Sequence, residues 1–346
     1  MCNIAGYSGK KQAAPILMEM LEKQAPYDGD MCTGIATIHE GKLHYRKIVG
    51  DVATFIRETD VLQLPGTIGI AHTRPSYGAV APHPSLNDNE TIAIVTNGTT
   101  PITKHSPDWS AAADMLDAAG YDITPLSTDT KKAHPRLSRN GMFVGYGQLR
   151  AKLLDYFINQ GHTLEEAMVL TCDHVFTDTI LVMLHISQPD RIYVTRNTRP
   201  MNVVLEDGEM YMATTRYGLP EHLKNEPIML PLQRACYVTR EGITVTDAKM
   251  QKEPVSEMTP YTYAEGYKRF EALLTSEKAP MYFDELEFAA DEMRDLWPGD
   301  HTCVQHARLV YDMLWQFDRE GRLKREMRVQ ERTGGTRRRW YFQLDK

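Results

Sequence analysis

The sequence predicts an α+β fold in which antiparallel sheets are layered with helices, followed by a smaller module of different character. Three observations carry this expectation. Residues 1–250 hold a series of short apolar runs with strand character, several joined by turn signals. Four amphipathic segments lie among them without a regular strand–helix–strand rhythm, which disfavours a parallel sheet. After a polar, Pro-containing stretch at 251–260, the pattern changes to three helix-like segments and a closing pair of strand-like runs.

In chain order, CNIAGYS reads as a strand and AAPILMEMLEKQ as a helix, because its apolar residues recur at three- and four-residue spacing. TGIATIHE and GKLHYRKI are strands joined at Glu40-Gly41, a hairpin signal. TIGIAHT and TIAIVTN follow as strands. DWSAAADMLDAAG, GQLRAKLLDYFINQG and LEEAMVLTCDHVF are helices, two of them ending on Gly. ILVMLHI, RIYVTRN, NVVLED, EMYMATT and ACYVTREGITVTD complete the strands, with LEDGE and TREG as further hairpin signals. Residues 251–260 read as a linker. The last 86 residues give helices at TYAEGYKRFEALLTSE, FDELEFAADEMRDL and TCVQHARLVYDMLWQFDREG, then a hairpin around Thr333-Gly334-Gly335-Thr336. Three helices and a terminal hairpin resemble a winged helix.

Composition narrows the function classes. Hydrophobic content of 42% and charged content of 25% are those of an ordinary soluble globular protein. No apolar run is long enough to span a bilayer, and the N-terminus lacks a signal-peptide pattern. The five cysteines are scattered, odd in number and without metal-binding spacing, which points to free thiols in a reducing, cytoplasmic compartment. Formal net charge is −7, so the chain as a whole does not read as a nucleic-acid binder. The charge is uneven. Residues 319–346 carry ten Lys/Arg against four Asp/Glu, a net of +6, which leaves −13 on the remainder.

The second residue is Cys2. Removal of Met1 would make it the N-terminal residue, with a thiol and a free α-amine on one residue. An α-amine has an unperturbed pKa of about 7.7–8.0, so it can act as base to the neighbouring thiol. Nucleophile and base then come from a single residue. The alternative is a buried cysteine in the first strand, since free Cys is among the most buried residue types.

The surrounding segments weigh against that alternative. MCNIAGYSG, GIAHTRPSYG, APHPSLND and TIAIVTNGTT occur in order. They resemble the class II glutamine amidotransferase family, the N-terminal-nucleophile family that includes the amidotransferase half of glucosamine-6-phosphate synthase. DWSAAADMLDAAGYDITPLSTDT, QLRAKLLDYFINQGHTLEEAM and PDRIYVTRNTRPMNVVLEDGEMYMATTRYGL extend the resemblance to about 240 residues. The stretch at 131–147 does not align and reads as an insertion. The resemblance implies a four-layer αββα sandwich and hydrolysis of glutamine to glutamate and ammonia through a Cys2 thioester. It implies no metal and no cofactor.

The same resemblance assigns roles. Asn97 and Gly98 would form the oxyanion hole; the alternative is a plain Asn-Gly turn. Arg74 would clamp the glutamine α-carboxylate, which a guanidinium fork matches bidentately. Asp129 would pair with the α-amine, or else serve an Asx turn. Ser76, in the arginine loop, is a further substrate-binding candidate. His83 falls in the family's His-Pro-His region and would shape the loop. His72 reads as a satisfied strand-end histidine. Two departures stand out: Pro75 replaces the aromatic that usually follows the arginine, and Thr99-Thr100 replace the usual Ile-Ile after the Gly.

The usual isomerase domain does not fit into the remaining residues, and neither a Walker A loop nor a pyrophosphatase loop is present. The expectation is therefore an amidotransferase subunit that uses L-glutamine and supplies ammonia to an acceptor enzyme on another chain. The alternative is a catalytically weak or inactive glutamine-sensing scaffold acting through its C-terminal module. For that module, Arg337, Arg338 and Arg339 are candidates for contacting nucleic-acid phosphates. A charged edge hairpin or a protein-docking surface are the competing readings.

Overall fold

The computed structural model describes residues 2–75, 82–98, 109–124, 135–252, 254–299, 303–332 and 335–345. The body contains, in order, β1 (Asn3–Ser8), α1 (Ala13–Asp28), β2 (Cys32–His39), β3 (Lys42–Val49), α2 (Val52–Glu58), β4 (Ile68–Arg74), β5 (Ser85–Leu86), β6 (Ile92–Asn97), α3 (Trp109–Ala118), α4 (Tyr146–Asn159), α5 (Leu164–His174), β7 (Ile180–His185), β8 (Ile192–Arg196), β9 (Asn202–Glu206), β10 (Glu209–Ala213), β11 (Ile228–Met229), β12 (Arg234–Thr239) and β13 (Gly242–Lys249). The C-terminal part adds α6 (Pro260–Thr275), β14 (Met281–Tyr282), α7 (Phe283–Glu292), α8 (His306–Arg319), β15 (Leu323–Arg332) and β16 (Gly335–Leu344).

Two antiparallel sheets form the middle of the body. One runs β11-β9-β10-β1-β4-β2-β3 and the other β13-β12-β8-β7-β6-β5. Their central strands, such as β1, β6, β8 and β10, are buried on both faces, which explains the near-continuous apolar runs there. Alternate residues serve different layers, as the two-residue period of a strand requires. In β6, Ala93 and Val95 pack between the sheets with Ile4, Ile70, Val182 and Met212. Ile92 and Ile94 instead face the outer helices, against Leu149, Leu153 and Met168. On the far side, Leu17 and Leu21 of α1 cover Ala5, Ile35 and Ala71. The layers therefore read helix, sheet, sheet, helix, the αββα sandwich expected from the sequence. The tight hairpins use residues in the left-handed region at Glu40-Gly41 and Asp207-Gly208.

The C-terminal part has three helices and a three-stranded antiparallel sheet of order β14-β16-β15. Its core is Phe270, Phe283, Leu309, Phe317 and Phe342, and it is shared with the body. Tyr27, at the end of α1, stacks on Tyr217 of the body and lies 5.8 Å from the ring of Phe342. Residues 251–260 are not a free tether. The Val255 amide donates to the Gln233 side chain (3.3 Å), and the Ser256 amide donates to the Cys303 carbonyl (2.8 Å). The part of the proposed insertion that is described, 135–147, packs on α3 through Ser138–Asp114 and Arg139–Asp117.

This packing corrects the expectation for the three arginines. Arg337 is 3% exposed and donates to Asp28, itself 1% exposed. Arg339 is buried as well and donates to Asp284 at 2.8 Å. Arg338 reaches Asp30 at 2.7 Å and Glu22 at 2.7 Å. These guanidinium groups hold the hairpin to acidic residues and do not face solvent phosphates. The acidic body and basic tail neutralise each other across this contact.

Candidate active site

The site assembles where three strand ends meet. Cys2 immediately precedes β1. Asn3 of β1 pairs with Thr73 of β4, so Arg74 ends β4 at the same edge of the sheet as Cys2. Asn97 ends β6 in the opposing sheet, and the two sheets are linked there by a hydrogen bond between His72 Nε2 and the Thr96 carbonyl (3.1 Å). Strand register brings Cys2 and Arg74 to one edge, and packing of the two sheets brings Asn97 beside Cys2.

Asn97 grips the main chain of Cys2 at both ends. The Cys2 nitrogen donates to Asn97 Oδ1 (3.2 Å), and Asn97 Nδ2 donates to the Cys2 carbonyl (2.7 Å). The first contact is the one that matters after Met1 removal, because that nitrogen becomes the α-amine. An amide Nδ2 carries a second hydrogen that can serve an oxyanion.

Gly98 lies at φ +95°, a conformation that favours glycine. The Asn97 carbonyl accepts from Thr179 Oγ1 (3.0 Å), and the Gly98 carbonyl accepts from Thr177 Oγ1 (3.3 Å) and from Arg150 (3.4 Å). Because the peptide is planar and trans, anchoring the Asn97 carbonyl also fixes the direction of the Gly98 N–H, which points the opposite way. The turn is therefore held rigidly from below. Thr177, Thr179 and the buried Arg150 were not singled out from the sequence. A polar run inside an apolar strand context, as in Thr177-Asp178-Thr179, was the available signal.

The rings of His83 and His72 pack against each other in a tilted arrangement, with centroids 4.5 Å apart. Burial, with the nearby Arg74 charge, lowers His72 from 6.5 to about 3. Burial, then the charges of His72 and Arg74, push His83 well below its ordinary value. Both rings are neutral at physiological pH and serve as packing at the base of the segment that carries Arg74. Arg74 itself is partly exposed at the end of β4. Ser76, Asp129 and Met1 lie outside the described residues.

Among the five cysteines, Cys2 alone is not fully buried. Burial pushes the thiols of Cys172 and Cys236 up to about 12, which makes both inert at neutral pH. Among the described residues no group of three or more His, Cys, Asp or Glu is placed to hold a metal ion. No helix among them is long and apolar enough to cross a membrane.

Comparison with known proteins finds glutamine amidotransferases among the similar ones. A glutamine–fructose-6-phosphate aminotransferase (isomerizing) of Pyrococcus horikoshii is 28% identical over 218 residues, covering 62% of this chain and 32% of that protein. The protein of the same name from Caldanaerobacter subterraneus is 30% identical over 229 residues, covering 65% and 33%. A solved structure of glutamine phosphoribosylpyrophosphate amidotransferase from B. subtilis matches with a TM-score of 0.55 at 16% identity, over 76% of this chain and 52% of that one. The chain resembles the class II glutamine amidotransferases. No family model matches it. The chain spans about a third of the length of these curated relatives.

Proposed function

We propose that this chain hydrolyses L-glutamine to L-glutamate and ammonia, with Cys2 as nucleophile. The observation that carries the reading is the Cys2–Asn97 pair, in which the side chain of Asn97 holds the nitrogen that becomes the α-amine. The α-amine takes the thiol proton, and the thiolate attacks the side-chain amide carbon of glutamine. A tetrahedral oxyanion forms, stabilised by the Gly98 N–H and the second hydrogen of Asn97 Nδ2. The ammonium then returns its proton to the departing nitrogen, the C–N bond breaks, and ammonia leaves. Water adds to the resulting thioester by the same route and releases glutamate. Arg74 receives the α-carboxylate of the substrate as a bidentate fork. Asp129 takes its α-amine, and Ser76 is a further substrate contact.

The ammonia then passes to an acceptor enzyme on another chain. The residues after 260 form three helices and a three-stranded sheet whose core is shared with the body. A glutaminase assay on the full chain tests the proposal. Glutamate release that vanishes in Cys2→Ala, with the fold retained, is the expected result; unchanged release in that variant refutes it.

A further inference from the structure

The turn that presents Gly98 packs against a residue from which a chain of polar contacts runs to the C-terminal module. A Cβ at Gly98 would lie 2.6 Å from both the carbonyl oxygen and Oδ1 of Asp178, so the turn rests directly on that residue. Asp178 is 2% exposed, and its Oδ2 accepts from Arg199, which is 6% exposed. The other arm of the Arg199 guanidinium donates to Glu287 on α7. Glu287 Oε1 also pairs with His306 Nε2 at 3.1 Å, at the start of α8. A parallel contact runs beside it: Arg196 Nη1 meets the side chain of Gln305 (3.4 Å), a residue with no exposed surface. On the nucleophile's side, the Tyr311 hydroxyl of α8 donates to Asn3 Oδ1 (3.4 Å), one residue from Cys2.

We propose that the module spanning 260–344 completes the glutaminase site, with Glu287 as a positioning residue that acts through Arg199 and Asp178 on the Gly98 turn. The guanidinium fork of Arg199 fits between two carboxylates, one from each part of the protein, and neither half of the pair is supplied without the other. Burial alone would raise the Glu287 carboxyl. The Arg199 charge, with the hydrogen bond from His306, overcomes it and holds the group well below the usual carboxylate range, so the carboxylate is ionised at working pH. A shift of α7 would move Arg199, then Asp178, and with it the surface on which Gly98 lies. Preorganised donors lose their effect when displaced by a fraction of an ångström, because their value lies in being aimed before the charge develops. Docking of the module thereby sets the rate of hydrolysis without touching glutamine.

This inference rests on Cys2 as nucleophile and Gly98 as oxyanion donor. The test uses the full chain with Met1 removed, in wild type, Glu287→Gln, Glu287→Asp, Arg199→Lys and Arg322→Ala. Arg322 pairs with Glu271 within the module, remote from the turn, so its variant reports loss of module stability alone. Measured are kcat and KM for glutamine, Tm, and the rate at which a glutamine-like diazoketone alkylates Cys2. Glu287→Gln is expected to lower kcat by roughly tenfold or more while KM changes less than about twofold, and Glu287→Asp to recover most of the loss. Arg322→Ala is expected to lower Tm and leave kcat unchanged. An unchanged kcat in Glu287→Gln overturns the coupling, as does an equal kcat loss in Arg322→Ala at equal loss of Tm. If Glu287→Gln does not fold, Arg199→Lys decides, since it keeps the charge and loses the fork: wild-type kcat in that variant overturns the proposal. A wild type that neither hydrolyses glutamine nor reacts at Cys2 refutes the functional reading instead, so the two failures are distinct.

Discussion

Replacing Gly98 by Ala tests the site at its tightest point. The residue sits at φ +95°, and holding a non-glycine residue there costs about 1–3 kcal/mol. The new methyl would lie 2.6 Å from Asp178 O and Oδ1, where ordinary carbon–oxygen contact begins near about 3.4 Å. Asp178 cannot retreat freely, because Thr198 Oγ1 donates to its carbonyl (3.3 Å) and Arg199 holds its carboxylate. The 97–98 peptide must therefore tilt, and its N–H leaves the direction fixed by Thr179. Loss of one oxyanion donor corresponds to roughly 10²–10³ in kcat. Urea unfolding should show a stability loss of a few kcal/mol at most, while steady-state kinetics show kcat falling by about 10² or more at nearly constant KM. A folded Gly98→Ala protein with kcat within about threefold of wild type would refute the oxyanion assignment.

Other outcomes follow from the same geometry. Arg74→Lys keeps the charge and loses the bidentate fork, so KM for glutamine should rise more than kcat falls; equal KM values would remove Arg74 from the substrate site. Arg337→Ala leaves Asp28 buried without its main partner and should cost about 3–5 kcal/mol in urea unfolding, with no effect on nucleic-acid retention at any salt concentration. A stability change below about 1 kcal/mol would mean that the hairpin is not docked as described. Acid should destabilise the fold through His72. Its folded pKa of about 3 lies below its ordinary 6.5, so the unfolded chain binds the proton more tightly between those values. Stability from this group is complete above pH 6.5 and falls by about 1.4 kcal/mol per unit as pH drops below it. His72→Gln should flatten that part of the pH–stability curve; an unchanged curve would show that the buried ring is not its source.

Much of the fold was legible because the central strands are buried on both faces and hairpins close on glycine-containing turns such as Asp207-Gly208. The major helices were legible from their spacing. Helix α2 was not: at seven residues it is too short for its spacing to stand out, and it is marked chiefly by the Asp51 cap, whose side chain accepts from the Thr54 amide. The two-residue strands β5, β11 and β14 carry no pattern at all. At the candidate site, Cys2, Arg74 and Asn97 are singled out by local motifs, and the register of β1 with β4 brings the first two to one edge. The basic hairpin shows the limit. Arg337 and Asp28 are separated by 309 positions, and nothing in RRRWY says that its charges are answered by carboxylates at the end of α1. The same holds for Glu287, an unremarkable acid on an amphipathic helix until Arg199 is placed beside it.

The most direct measurement combines intact mass with active-site labelling. Active protein is incubated with a diazoketone analogue of glutamine, weighed whole and then mapped by peptide. The expected result is a chain lacking Met1, a single adduct on Cys2, and glutaminase activity lost in proportion to labelling. Full activity with Met1 still attached, or labelling of Cys32, Cys172, Cys236 or Cys303 in step with inactivation, would contradict an N-terminal cysteine nucleophile.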